Sequence, residues 1–313
     1  MTDIKLGALC WNQYTDWASL EAAGVRAERL GFDSLWTWDH VYPIVGSSDG
    51  PMFEGWLTLA AWAKVTSRVR IGLMVGANPY REPALVAKMA TTLDHISGGR
   101  AVLGIGSAWF DGEAAAFGFA FGESPAERLR WLGEALPVIR GMLHGETPSA
   151  AGPRYATREV MNLPAPVQAN LPILIGGGGE KVTLKLVAQY ADACNLYGPI
   201  DDMIRKEAIL VQHCETVGRD PATIERTTGR GPTIIRSTRE EAQRVATEIL
   251  ARNGGSQLQP THAVGTAQDI IDLWAPFVRL GYRHLVVGLP SPYDEETMER
   301  LISEVKPALE AVG

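Results

Sequence analysis

Eight short apolar runs, each followed by a stretch with helical periodicity, alternate along almost the whole chain, and that alternation leaves few folds open. The runs cover residues 4–10, 33–38, 69–75, 101–106, 171–175, 192–196, 227–236 and 284–289. They do not alternate strictly between apolar and polar, as expected of strands covered on both faces of a parallel sheet. The helical stretches are 17–30, 54–64, 83–96, 125–143, 181–189, 201–217, 238–252 and 266–280. The first sets Leu20, Ala23, Ala27 and Leu30 on one face and stops at Gly31, a residue suited to ending a helix. Strand and helix in strict alternation, eight times over, predict a (β/α)8 barrel spanning 1–313 as a single domain. The composition, 46% hydrophobic over 313 residues, is enough for its core. A last helix, 293–312, is expected to pack outside.

Three connections are too long for plain barrel loops: 39–53, 107–124 and 145–170. The first two follow strands and therefore lie at the C-terminal face, where barrels keep their sites. The third holds Pro148, Pro153, Pro164 and Pro166 and reads as an excursion with a short hairpin. Residues 253–262 form a candidate lid.

Composition narrows the partners. A net charge of -7 without a Lys/Arg stripe argues against nucleic acid. No apolar run approaches the length of a membrane span. The chain enters a strand almost at once, leaving no room for a signal peptide. Cys10, Cys194 and Cys214 form no CxxC pair, so reduced thiols and a cytoplasmic location are expected. Several of the nine tryptophans crowd into residues 11–62 and hint at an aromatic-lined cavity, although core packing accounts for most buried Trp.

The chemistry of a barrel is read at its strand ends. The second strand ends Trp36-Thr-Trp-Asp39-His40, where an acid next to an imidazole can orient the ring and the ring can move a proton; the alternative is a His packed under the next loop. The third ends Leu73-Met-Val-Gly-Ala-Asn78-Pro-Tyr-Arg81, whose punctuation marks a bulged backbone. The fourth ends Gly104-Ile-Gly-Ser-Ala108-Trp109-Phe110, small residues and a ring that suit a planar ligand. The fifth ends in Gly176, Gly177, Gly178 and Gly179 ahead of a helix, which is either an anion site of bare N–H groups or simply a tight turn. The sixth offers Asn195 and Tyr197.

Other barrel chemistries do not fit these ends. Of seven lysines only Lys5 lies in a strand, near its start, which leaves no Schiff-base lysine in the mouth. The six histidines are scattered, so no metal site is expected. Glu113, in the loop past Trp109, is the only acid near the place a glycosidase would need one. A site poor in catalytic groups and rich in flat surface points to a cofactor that carries the hard chemistry.

The segments Gly31-Phe-Asp-Ser-Leu-Trp-Thr-Trp-Asp-His40, Arg70-Ile-Gly-Leu-Met-Val75, Tyr80-Arg-Glu-Pro-Ala-Leu-Val-Ala-Lys-Met89, Asp94-His-Ile-Ser-Gly-Gly-Arg-Ala-Val-Leu-Gly-Ile-Gly-Ser-Ala-Trp109 and Gln189-Tyr-Ala-Asp-Ala-Cys-Asn195 resemble the bacterial luciferase-like flavin and deazaflavin oxidoreductases. The closest branch is the actinobacterial group assigned coenzyme F420; other members use FMN. The resemblance implies that Asp39 and His40 face the reactive ring and that His40 assists hydride transfer. It implies a cis peptide at Met74–Val75 behind the ring, a phosphate held by Gly176–Gly179 and Tyr197, and Ala108 and Trp109 at the ring's other edge, with Asn78 among the cofactor contacts. The F420-dependent sugar-phosphate dehydrogenases of the family place a catalytic Glu where this chain has Trp109 and a Trp where it has Ile44, with Asp111 and Glu113 near enough to substitute. The implied activity is hydride transfer between F420 and a small organic substrate, and the apolar, Trp-rich mouth favours a hydrophobic one over a charged sugar. The alternatives are an FMN-dependent monooxygenase served by a separate flavin reductase, and a non-catalytic cofactor carrier. Family members often dimerise, so a homodimer stays open.

Overall fold

The computed structural model describes residues 3–255, 257–259 and 261–312. Eight parallel strands close into a barrel: β1 (Lys5–Cys10), β2 (Ser34–Thr37), β3 (Arg70–Leu73, resuming as Gly76–Ala77), β4 (Ala101–Gly106), β5 (Ile173–Gly176), β6 (Ala193–Asn195), β7 (Glu225–Arg230) and β8 (His284–Leu289). The order is β3-β2-β1-β8-β7-β6-β5-β4, and β4 returns to β3 through Ile71↔Ala101 to complete the ring. β1 runs in register with β8 from Lys5↔His284 to Cys10↔Leu289. Every residue of β4 and β8 is buried, which explains why these runs read as continuous apolar sequence.

Helices α1 (Trp17–Leu30), α2 (Gly55–Val65), α3 (Pro83–Ser97), α4 (Asp111–Phe117), α5 (Pro125–Leu143), α6 (Thr183–Tyr190), α7 (Ile200–Thr216), α8 (Arg239–Arg252) and α9 (Ala267–Arg279) surround the strands. Their ends follow local chemistry. Asp16 caps α1 by accepting from the Ser19 N–H at 2.9 Å, and Gly31 ends it at φ 107°. Thr266 and Asp269 form a reciprocal capping box on α9. One apolar layer lies between strands and helices; a second, inside the barrel, joins Trp36, Val102, Leu174, Ala193 and Val286. Trp36 can fill the barrel because two neighbours lack side chains. A Cβ on Gly7 would lie 2.7 Å from its Nε1, and one on Gly72 would lie 2.7 Å from its ring.

Five segments refine or correct the sequence reading. The run 227–236 is not one strand. β7 stops at Arg230, a cis Gly231–Pro232 bond follows, and Thr233–Ile235 pairs with Ala263–Gly265 in a separate two-stranded sheet. Pro232 has no N–H to continue the ladder. The connection 107–124 contains α4 rather than only loop. The excursion 145–170 carries its hairpin, Ala150–Ala151 against Ala156–Thr157. The C-terminal segment is helical from Glu295 to Glu310, with a π-helical turn at Leu301–Val305. In the candidate lid, Asn253 is buried and donates to the Ser291 carbonyl at 2.7 Å, and the Gly254 carbonyl accepts from Ser47 at 3.1 Å; Ser256 and Pro260 lie outside the described residues. Among the described residues no helix is long and apolar enough to cross a membrane. All three cysteines are free and buried, and burial pushes the Cys10 and Cys194 thiols up to about 12.

Candidate active site

The break in β3 builds the floor of a cavity of about 320 Å³ at the strand C-termini. The Met74–Val75 peptide is cis, as the resemblance implies. Val75 packs where β4 and β5 carry glycines: a Cβ on Gly106 would lie 2.9 Å from its Cγ2, and one on Gly176 would lie 2.8 Å from it. A Cβ on Gly104 would lie 1.9 Å from the Leu73 carbonyl. The small residues at these strand ends therefore make room first for the bulge and only through it for a ligand. Of the tryptophans between residues 11 and 62, only Trp38 lines the cavity; Trp36 fills the barrel and Trp62 lies beneath α1, donating to the Leu20 carbonyl at 3.0 Å.

Asp39 and His40 both line the cavity but do not pair with each other, which corrects the sequence expectation. Asp39 Oδ2 accepts from the Ala77 N–H at 2.8 Å and from Arg81 Nη1 at 2.7 Å, and Arg81 Nη2 reaches Glu54 at 2.9 Å. Burial raises the Asp39 carboxyl above its ordinary value, with the Arg81 guanidinium opposing.

The partner of His40 is Glu113, the acid that sequence reasoning placed in a loop and considered only as a stand-in for the family's catalytic Glu. Its side chain is fully buried on α4. Oε1 lies within hydrogen-bond reach of His40 Nδ1 and accepts from the Tyr80 hydroxyl at 2.5 Å. Oε2 accepts from the Val41 and Tyr42 N–H groups at 2.8 and 3.1 Å. Burial disfavours the charge, but the bonds from His40, Tyr80 and Val41 outweigh it and hold the carboxyl below the usual range. One signal for α4 was present in the sequence: Gly118 sits one residue past its end, at φ 70°. His40 Nε2 has no protein partner among the described residues, and the ring meets Trp109 edge-on at 5.4 Å.

Ala108 (φ 62°), Trp109, Met74, Val75, Gly176, Gly177 and Tyr197 line the cavity; Trp109 and Tyr197 are exposed at its rim. Asn78 does not. It is buried outside the wall, and its Nδ2 donates to the Tyr155 hydroxyl at 3.2 Å. Gly178 and Gly179 also lie off the cavity lining. The space a Cβ would need is taken at Gly178 by Lys206 Nζ, 2.7 Å away, and at Gly179 by Thr183 Oγ1, 2.8 Å away. The glycine turn thus has an ammonium beside it that sequence reading missed, because Lys206 comes from α7. Among the described residues no His, Cys, Asp and Glu cluster could hold a metal.

The luciferase-like monooxygenase model matches residues 7–284. The chain belongs to this family. It is 28% identical to the F420-dependent glucose-6-phosphate dehydrogenase of Microbacterium testaceum, over 91% of both proteins. Uncharacterised mycobacterial relatives, 29% identical, are matched over 64% of their length and 55% of this chain. Among solved structures, an F420-dependent secondary alcohol dehydrogenase in complex with an F420–acetone adduct superimposes with a TM-score of 0.83 at 20% identity, covering 99% of each chain. The FMN-bound oxygenating component of a type II Baeyer–Villiger monooxygenase from Pseudomonas putida gives 0.74 at 18%, covering 98% of this chain and 99% of that one. At such identities these two likenesses show the fold.

Proposed function

We propose that this luciferase-like protein is an oxidoreductase that passes a hydride between the deazaflavin coenzyme F420 and a small, hydrophobic organic substrate. The observation that carries the reading is His40, held at Nδ1 by a fully buried carboxylate with Nε2 free toward the cavity. When bound, F420 supplies a two-electron carrier that accepts or returns a hydride. The chain's residues suit it. Met74 and Val75 offer an apolar floor for a flat ring, Gly176 and Gly177 leave the wall beside it free of side chains, and Tyr197 stands at the rim. His40 Nε2 takes or returns the substrate proton. Trp109, Trp38 and Ile44 give the entrance an apolar lining that selects against charged sugars. The relative from Microbacterium supports F420. The FMN-bound neighbour favours a second reading, a monooxygenase that depends on FMN and a separate reductase.

Titration of the purified protein with F420 and with FMN separates the two. Micromolar binding of F420 without FMN binding is expected; the reverse overturns the F420 reading.

A further inference from the structure

We propose that Glu113 is a positioning residue that fixes His40 as the Nδ1-protonated tautomer, so that the neutral ring presents a bare Nε2 lone pair to the cavity. The argument is an inventory of donors. An ionised carboxylate only accepts. Glu113 Oε2 is taken by two backbone N–H groups, from Val41 and Tyr42, which cannot turn away. Oε1 is taken by the Tyr80 hydroxyl and His40 Nδ1. Val41 and Tyr42 must donate, and Tyr80 has no other protein partner among the described residues, so the carboxylate meets His40 as an acceptor and Nδ1 must carry the proton. The tautomer of a histidine is set by the partner of one nitrogen, which decides what the other can do.

The two backbone bonds also explain the choice of Glu. They tie α4 to the segment leaving β2, so the same carboxylate orients the ring and anchors the helix that follows Trp109 and Phe110. A role limited to anchoring would leave the tautomer of His40 indifferent to the chemistry at position 113. A positioning role makes a sharp forecast for Glu113→Gln. The amide oxygen should stay with the Val41 and Tyr42 N–H groups, leaving the NH2 to face His40. Nδ1 then has to accept, and the proton moves to Nε2.

This inference rests on the proposed role of His40 only for its consequence in turnover; the tautomer itself is read without cofactor. Long-range proton–nitrogen correlation spectra of the cofactor-free protein labelled with ¹⁵N-histidine, taken at alkaline pH, should show His40 protonated on Nδ1. They should show it protonated on Nε2 in Glu113→Gln. Tyr80→Phe, which removes one donor and leaves the carboxylate, should keep the wild-type tautomer. An Nε2-protonated His40 in the wild type overturns the proposal whether or not Glu113→Gln folds, as does an unchanged tautomer in a folded Glu113→Gln. Hydride transfer by Glu113→Gln should fall at least tenfold while the F420 dissociation constant changes less than threefold. Absence of any F420 turnover in the wild type would count against the functional reading and leave the tautomer result standing.

Discussion

Two histidines are each held by a glutamate at opposite ends of this barrel, and they differ in one bond. At the lower end His284 Nδ1 lies 3.3 Å from Glu225, and its Nε2 meets the Ser34 hydroxyl at 2.7 Å; Ser34 in turn accepts from Trp36 Nε1 at 2.7 Å. Glu225 also binds Lys5 at 2.9 Å and Arg70 at 3.3 Å. At the upper end His40 has the same kind of carboxylate at Nδ1, and its Nε2 has the cavity. A ring with both nitrogens engaged is a strut; a ring with one engaged is a tool held by its handle. The difference follows the barrel rule that the strand N-terminal face serves stability and the C-terminal face serves chemistry.

The widest separation should come from removing each ring. His40→Ala should lower hydride transfer by roughly a hundredfold or more, at a stability cost of about 1 kcal/mol, since Glu113 keeps its bonds from Tyr80, Val41 and Tyr42. His284→Ala should do the opposite, losing about 1–3 kcal/mol because Glu225 and Ser34 are left underpaired, with turnover per folded molecule kept. Equal loss of turnover in both variants would erase the distinction between strut and tool.

The same contrast between closed and open surroundings runs along the glycine turn. Gly176→Ala drives a Cβ to 2.8 and 2.9 Å from the Val75 methyls inside the wall, and overpacking of this kind costs about 1–3 kcal/mol. Gly178→Ala meets only the movable end of Lys206. Its stability should stay within about 0.5 kcal/mol of wild type, while displacement of the ammonium should weaken F420 binding severalfold, read from cofactor fluorescence.

The smallest effect is in acid. Burial disfavours the Glu225 charge, but its bonds to His284 and Lys5 prevail and hold the carboxyl well below the usual range. A depressed carboxylate contributes fully above the unfolded value, about 4.3, and loses that contribution as pH falls through the folded value. Unfolding free energy should therefore drop below about pH 4 in the wild type, and Glu225→Gln should flatten that limb. An identical acid limb in the variant would remove Glu225 from the account.

The barrel was legible because strands buried on both faces leave uninterrupted apolar runs, as in β4 and β8. Residues 233–235 misled the reading because they are as apolar as a barrel strand and only the missing N–H of Pro232 sets them apart. His40 was visible from its place at a strand end. Its partner was not, because Glu113 lies 73 residues away on a seven-residue helix, and sequence adjacency favoured Asp39 instead. Consecutive side chains leaving a strand project to opposite sides, which sends Asp39 to Arg81 and His40 to Glu113. Asn78 carried no local sign that its amide turns to Tyr155.

Trp36 fills the barrel beneath Met74 and Val75, so the floor of the chamber above is packed side chain and not an open channel. A guest must therefore enter and leave by the strand C-terminal side, past the exposed rings of Trp109 and Tyr197.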